Sequence, residues 1–338
     1  MGSGAEGSRD DRGLIEKEGR SWGFWTQAKL EMLASYLGAF STASGGVSER
    51  VYLDAFAGEG RGRDRSSGEE FDGSARIALD AGEGAGFTRF RYFEMGPKAA
   101  ELEAQLRADY PGKDIKVYEG DCNQMIPVAL ADLSDLKWAP TFAFLDPDGM
   151  ELEWRTLEAL AAHKRGYRSS TSTKPEYKVE MWMLFPSSGL IRTLALDEGK
   201  VRDEDFERAT RLFGSEEWKP IYERRLANAF SGEQAREEYV NLMRWRLERA
   251  LRYKAAHAFE VRNSRGPLYH MIFATDNEAG TKIMSSIYDK AAARLPQMRD
   301  EARDRAVGQG AFDFGDSVVA ATEGYHYEPP WEPPTDDQ

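Results

Sequence analysis

Residues 51–60, VYLDAFAGEG, decide the fold of this chain. An apolar, β-prone run reaches an acidic residue, Asp54, and then enters a turn that contains Gly58 and Gly60. Because glycine has no Cβ, such a turn can adopt positive φ angles and lets a ligand approach the backbone closely. The stretch is typical of a parallel strand that ends at a nucleotide-like ligand. We therefore expect Asp54, Phe56, Gly58 and Gly60 to lie in a binding site.

Strands and helices alternate on either side of this stretch. Hydrophobic patterning predicts strands at 51–55, 90–93, 115–118, 141–145 and 179–185. It predicts helices between them at 74–81, 97–110, 124–133 and 151–162. Two further strands, 257–262 and 268–275, flank turn residues and suggest a hairpin, and a last helix follows at 280–295. Such alternation predicts a Rossmann-like α/β fold with a mostly parallel seven-stranded sheet and a terminal antiparallel hairpin.

Segments outside this alternation complete the predicted organisation. A helix at 21–40 carries Trp22, Trp25 and Lys29 at helical spacing, and residues 61–72 read as a charged loop. Residues 203–252 form a helical insertion within one Rossmann-like domain at 21–300. Residues 1–20 read as a flexible leader, and residues 308–338 as a poorly ordered tail.

Composition narrows the class of protein. The chain has 338 residues, a net charge of −13 and one cysteine. The charge argues against broad, nonspecific binding of nucleic acid. No apolar run approaches the roughly 20 residues that a membrane helix needs, so we expect no membrane association. A single cysteine allows neither an intramolecular disulfide nor a cysteine-built zinc site, and we expect a cytoplasmic protein.

The glycine turn does not fit a nicotinamide dinucleotide. The dinucleotide fingerprint needs a third glycine, and Arg63 stands at that position. The charged loop at 61–72 would also delay the helix that normally follows the turn. The turn therefore indicates another ligand.

Acidic residues at the predicted strand ends fit S-adenosylmethionine. Glu94, at the end of the second strand, is placed to bind two ribose hydroxyls, and Asp121 follows the third strand where an adenine amino group needs an acceptor. Asp54 and the backbone of Gly58 and Gly60 would surround the methionine end, because carboxylates and carbonyls suit a sulfonium cation. Taken singly, each acid is a solvated carboxylate or a helix cap. Cys122 either lines the adenine pocket or is a buried structural thiol.

The end of the fourth strand carries Asp146, Pro147, Asp148 and Gly149. This run resembles the D-P-P-Y motif of enzymes that methylate exocyclic amines of bases, although the aromatic residue is absent. We predict catalytic roles for Asp146, Pro147 and Asp148, with Asp146 orienting the nucleophile or taking its proton. The alternative is a simple turn. Pro186, Ser187, Ser188 and Gly189 follow the fifth strand and could border the acceptor pocket.

Basic residues in two loops are candidates for phosphate contacts or an ordinary solvated surface. They are Arg61, Arg63 and Arg65 after the glycine turn, and Lys164, Arg165, Arg168, Lys174 and Lys178 before the fifth strand. The four histidines show no ligand spacing, so we predict no metal site.

Several longer stretches resemble one family, the three-Cys-motif partner proteins. The resemblance covers most of residues 20–295 and rests on YLDAFAGEG (52–60), DGSARIAL (72–79), FEMGPKAAELEAQL (93–106), EGDCNQ (119–124), FAFLDPDGMELEW (142–154), LFPSSGLIR (184–192) and GPLYHMIFAT (266–275). It implies a fold similar to class I S-adenosylmethionine-dependent methyltransferases. It also implies a partner with a cysteine cluster, encoded nearby, and a role in nucleic-acid modification or mobile-element conflict. Carried over by position, the functional residues are Asp54, Gly58, Gly60, Glu94, Asp121 and Asp146.

Three functions follow from these observations. The first is a methyltransferase that uses S-adenosylmethionine and acts on a nucleic-acid or nucleotide-like acceptor. The second is a non-catalytic partner or scaffold that retains the fold, since the turn at Asp146 is altered. The third is a nuclease-like or other nucleotide-processing enzyme, although its carboxylates would have to converge on a divalent ion.

Overall fold

The computed structural model describes residues 21–22, 24–64, 68–82, 86–164, 177–196, 201–263 and 266–307. The predicted leader, residues 1–20, and the predicted tail, residues 308–338, lie outside these described residues. Within the described ranges, none of the helices combines the length and apolar character that crossing a membrane would require.

A seven-stranded sheet forms the centre of the molecule. Its strands are β2 (Val51–Asp54), β5 (Arg89–Glu94), β6 (Asp114–Glu119), β7 (Thr141–Leu145), β8 (Glu180–Phe185), β9 (Ala255–Asn263) and β10 (Gly266–Thr275). They lie in the order β6-β5-β2-β7-β8-β10-β9. The first five are parallel, whereas β10 is antiparallel to both β8 and β9. This is the strand order of class I methyltransferases, and the predicted fold class is confirmed.

Helices cover both faces of this sheet. They are α1 (Phe24–Ala43), α2 (Ser74–Asp80), α3 (Lys98–Asp109), α4 (Cys122–Asp132), α5 (Trp154–Ala162), α6 (Ser187–Thr193), α7 (Asp203–Phe213), α8 (Lys219–Leu226), α9 (Gly232–Arg249) and α10 (Glu278–Val307). Helices α4 to α9 pack one core, and α1, α2, α3 and α10 pack the other. Because side chains alternate along a strand, Val51 and Leu53 enter the first core and Tyr52 the second. A strand buried on both faces is therefore apolar over most of its length, as β2 is from Val51 to Leu53.

The predictions for 61–72 and for the start of the first helix were wrong. Residues 61–72 contain β3 (Arg61–Asp64) and β4 (Glu70–Asp72), which join β1 (Ser21–Trp22) in a small sheet of order β1-β3-β4. The helix predicted from residue 21 begins only at Phe24. Strands β3 and β4 are rich in charged residues and carry no alternating apolar pattern, so backbone pairing alone reveals them.

Other elements also have boundaries that differ from the predicted ones. The last helix runs to Val307, beyond the predicted 280–295, and α4 begins at Cys122 rather than at Gln124. Helix α6 was not predicted, because it opens with Ser187, Ser188 and Gly189, residues that are typical of turns. The helical insertion predicted for 203–252 is present as α7, α8 and α9.

Candidate functional site at the carboxyl ends of the strands

The strand order creates a crevice beside β2. From β2 the sheet extends through β5 and β6 on one side and through β7 and β8 on the other. Loops that leave neighbouring strands at such a reversal diverge, and ligands of open α/β sheets bind between them. The loops after β2 and β7 therefore frame the candidate site.

The glycine turn after β2 has the backbone that its sequence predicts. Gly58 and Gly60 have φ angles of +62° and +73°, a region that residues with a Cβ rarely adopt. The turn is fixed by a hydrogen bond from the Ala57 amide to the Phe93 carbonyl, 3.1 Å, and the Phe56 amide donates to Asp54. A Cβ at Gly60 would lie 2.9 Å from Leu102 Cδ1, whereas no described atom comes within 4 Å of one at Gly58. Glycine is therefore needed at position 60 for close packing against Leu102, whereas a Cβ at Gly58 would point into open space.

Asp54 is a fully buried carboxyl group at the start of this turn. It accepts hydrogen bonds from the Tyr52 hydroxyl (3.2 Å) and the Phe56 amide (3.3 Å), and also from the Ser74 side chain. Burial raises its pKa to about 7, and the neighbouring charge of Asp146 acts in the same direction, while the hydrogen bonds lower it. Asp54 therefore stabilises the turn through buried hydrogen bonds. At neutral pH, its charged and neutral forms are present in similar amounts.

Asp146 lies at the end of β7 and pairs with Lys29 of α1. The Lys29 ammonium donates to Asp146 Oδ2, and the two side chains are only 6% and 21% exposed. The same ammonium lies 5.8 Å from the ring centroid of Tyr269, on β10. The predicted acid thus stands in the crevice as part of a cluster drawn from α1, β7 and β10.

Glu94 and Asp121 occupy neighbouring positions along the same edge. Glu94 is the last residue of β5, is partly exposed, and accepts a hydrogen bond from the Met95 amide at 2.9 Å. Asp121 follows β6 and caps α4, accepting from the amide of Asn123 at 2.9 Å through one oxygen. Both carboxylates lie at the carboxyl ends of their strands, as expected.

The remaining predicted residues divide between the interior and the surface. Cys122 is buried, and burial raises the pKa of its thiol to about 12, so it is an unreactive core thiol. Pro147 is buried, whereas Asp148 is exposed. The turn is closed by the Gly149 amide, which donates to Glu151 Oε2 at 2.6 Å. Buried Ser187 lies 2.8 Å from His270 Nδ1, and Ser188 donates to the Pro267 carbonyl, so both hydroxyls already have partners on β10.

The described basic residues have internal partners. Arg61 and Arg63 pair with Asp72 and Glu70 at 3.9 and 3.3 Å on the small sheet. Lys164 is buried and donates to the Ala139 carbonyl, and burial lowers its pKa to about 8. Lys178 pairs with Asp276 at 2.9 Å. It precedes β8 and therefore lies at the amino ends of the parallel strands, whereas the crevice lies at their carboxyl ends. Arg65, Arg165, Arg168 and Lys174 lie outside the described residues.

Two shallow clefts lie elsewhere on the surface. One lies between α1 and α10, and the other lies on α7 and the segment before α8. Neither is lined by a residue predicted for the site. We place the site in the crevice because polar side chains of several elements converge there. Within the described ranges, no group of three or more His, Cys, Asp or Glu residues is arranged to hold a metal ion.

Lys29 and Tyr269 are the site residues that sequence reasoning missed. In the sequence, Lys29 recurs at helical spacing with Trp25 and Tyr36, so it shares a helix face with apolar residues. A lysine on such a face needs a buried carboxylate partner, because an isolated buried charge is costly. That conflict was a usable signal for Lys29. Tyr269 carried none, since an aromatic residue in a strand is ordinary.

No protein-family model matches the chain, so the resemblance to three-Cys-motif partner proteins stays a prediction. No curated protein matches either.

Three solved structures show weak similarity. A conserved hypothetical protein of Streptococcus pyogenes is 17% identical over 45% of this chain and 77% of its own, with a TM-score of 0.26. A Legionella pneumophila protein of family DUF519 is 11% identical over 74% and 85%, with a TM-score of 0.37. Trm1 of Pyrococcus horikoshii, solved with S-adenosyl-L-methionine, is 8% identical over 78% of this chain and 58% of its own, also at 0.37. Because these TM-scores are low, we assign the fold from the strand order of the chain itself.

Proposed function

We propose that this protein is an S-adenosylmethionine-dependent methyltransferase that acts on a nucleic-acid or nucleotide-like acceptor. One observation carries the proposal: Asp121, Glu94, Asp54 and Asp146 stand at the carboxyl ends of four adjacent parallel strands, with the glycine turn between them. The order along the edge matches the parts of the ligand, from adenine through ribose to the sulfonium. A dinucleotide would need the third glycine that Arg63 replaces.

The residues fit the cofactor in three ways. The open space at Gly58 admits a ligand against backbone amides and carbonyls. Glu94 is partly exposed and can accept hydrogen bonds from two ribose hydroxyls. Asp121 uses one carboxylate oxygen for its cap, which leaves the other for an amino group. When bound, S-adenosylmethionine supplies a methyl group that its sulfonium has already activated.

The chain's own task is to bind and orient. Asp146, together with Asp54 in its charged form, provides negative charge beside the position where a sulfonium would lie, and burial strengthens such an interaction. Lys29 holds Asp146 through one oxygen. Orientation of donor and acceptor can supply much of the rate of a transfer of this kind.

Calorimetric titration with S-adenosylhomocysteine tests the proposal. We expect saturable binding by the wild type, and we expect Glu94→Ala to weaken it by about 1–3 kcal/mol, because a charged hydrogen-bonding partner is lost. Glu207→Ala is the matched control, since Glu207 is an exposed carboxylate on α7, away from the strand ends. Absence of binding at millimolar concentrations of S-adenosylhomocysteine would refute the proposal.

A second candidate is a partner or scaffold that keeps the fold without the reaction. The pairing of Lys29 with Asp146 favours it, as does Gly149 at the position that the aromatic residue holds in the D-P-P-Y motif. The resemblance implies a partner with a three-Cys motif, encoded nearby. Co-purification with such a protein, together with no methyl transfer to any acceptor, would favour this candidate over the first. The single, buried Cys122 supports a reducing, cytoplasmic setting for either.

A further inference from the structure

Two polar atoms in the cluster around Lys29 are buried without a partner. Among the described residues, nothing is within hydrogen-bonding reach of Asp146 Oδ1 or of the Tyr269 hydroxyl. Buried polar groups of folded proteins nearly always have a partner, so such atoms call for a specific explanation. These two atoms belong to neighbouring side chains in the crevice, so one ligand group could satisfy both.

Lys29 links these two side chains. Its ammonium bonds to Oδ2 of Asp146, which leaves Oδ1 of the same carboxylate unused, and it lies 5.8 Å from the centroid of the Tyr269 ring. Asp146 is also close enough for its charge to raise the pKa of Tyr269 further, beyond the larger effect of burial. The Tyr269 hydroxyl therefore stays protonated and can both donate and accept a hydrogen bond.

The charges of the cluster select among acceptors. Asp146 and Asp54 interact electrostatically with each other, and Lys29 is already paired. A carboxylate or phosphate in this space would meet carboxylate charge, which disfavours it. A group that carries N–H or O–H hydrogens would instead supply the donor that Asp146 Oδ1 lacks.

We propose that Asp146 Oδ1 and the Tyr269 hydroxyl form the acceptor subsite, and that it takes a group bearing N–H or O–H hydrogens rather than an anionic oxygen. An amine or amide-like nitrogen fits both contacts, because it can donate one hydrogen to Oδ1 and another to the hydroxyl oxygen. Lys29 is a positioning residue, which turns Asp146 so that Oδ1 faces the subsite. This inference rests on the proposed function, since it assumes that the methyl donor lies beside Asp146.

A pair of cofactor analogues tests the subsite without knowledge of the acceptor. Sinefungin carries an amine at the position of the transferred methyl group, whereas S-adenosylhomocysteine carries nothing there. The wild type should bind sinefungin at least about tenfold more tightly, because its amine meets a carboxylate oxygen that lacks a donor.

Substitutions assign that preference to the two atoms. Asp146→Asn should reduce the preference to less than about threefold, because the charge-assisted bond is lost. Tyr269→Phe should reduce it roughly threefold or more and leave the affinity for S-adenosylhomocysteine unchanged. Tyr269→Phe should also keep the melting temperature of the wild type, because its hydroxyl has no described partner to lose. Tyr118→Phe, which removes a 2.8 Å bond to Asp132 away from the crevice, is the control and should retain the full preference.

The outcomes separate the two proposals. If the wild type binds S-adenosylhomocysteine but shows no preference for sinefungin, the subsite is refuted and the proposed function stands. A preference that survives in both Asp146→Asn and Tyr269→Phe refutes it as well. If neither analogue binds, the proposed function fails and the subsite fails with it.

Discussion

Asp54 shows how one buried residue couples the site to pH. Its pKa is raised from 3.8 to about 7, mainly by burial, so the folded protein holds a proton that the unfolded chain has already released. The resulting stability is fully present below about pH 4 and is lost as the pH rises through about 7. The side chain that anchors the glycine turn therefore destabilises the protein in its charged form.

Asp54→Asn isolates this effect. Asparagine is neutral throughout, so the free energy of unfolding of the wild type should fall relative to that of the variant between pH 4 and pH 7. The slope should approach about 1.4 kcal/mol per pH unit. Urea unfolding of both proteins at several pH values measures it, and a difference that does not vary with pH would contradict the assignment.

Gly58 provides a second test at the scale of a residue. It shares a positive φ angle with Gly68, 62° and 73°, and no described atom lies within 4 Å of a Cβ at either position. Alanine at each should therefore cost about the same, roughly 1–2 kcal/mol of stability. Only Gly58→Ala should weaken binding of S-adenosylhomocysteine, by about tenfold or more, because its Cβ would fill space beside the ligand. Equal affinities of the two variants would place the ligand elsewhere.

At the scale of the element, α1 is the part that completes the site. Lys29 reaches the carboxyl end of β7, and Tyr36, two turns later, donates to Glu180 at the amino end of β8 at 2.6 Å. Two buried polar contacts, two turns apart, therefore hold α1 across the sheet face. Leu33, which lies between them, and Leu37 are completely buried in the core.

Lys29→Met tests how much the ion pair with Asp146, as distinct from the apolar packing of α1, contributes to stability. Removing the ammonium leaves Asp146 as a largely buried, unpaired charge, so we expect a loss of about 3 kcal/mol in urea unfolding. Adding Asp146→Asn should restore much of that loss, since no charge is then stranded. Lys290→Met, an exposed position on α10, is the control and should change little. A double variant no more stable than Lys29→Met would show that the pair is not coupled.

Sequence patterns predicted elements unevenly. The strands of the central sheet were found because burial on both faces demands continuous apolar runs such as 141–145, which match β7 to the residue. Strands β3 and β4 were missed because their pairing is exposed and their side chains are charged. Helix α4 was started too late because Asp121, read as a ligand contact, is also its cap.

At the scale of the whole molecule, the arrangement predicts a ligand that survives purification. Native mass spectrometry of the full chain should show an added mass equal to that of S-adenosylmethionine or S-adenosylhomocysteine. Gly58→Ala should lose that mass, and Gly68→Ala should keep it. A different retained nucleotide would redirect the function to another enzyme class, and a bound polypeptide alone would favour the scaffold.

The sequence by itself determined the architecture and the edge at which to look. Continuous apolar strands and a glycine turn can be read locally, because burial and positive φ constrain the residues that form them. Asp54, Glu94, Asp121 and Asp146 followed from their places at strand ends. Only the tertiary structure decided that Lys29 and Tyr269 meet at Asp146, because 117 residues separate Lys29 from it along the chain. Pairing at that separation depends on how α1 and β10 pack against the sheet, and no local pattern records it.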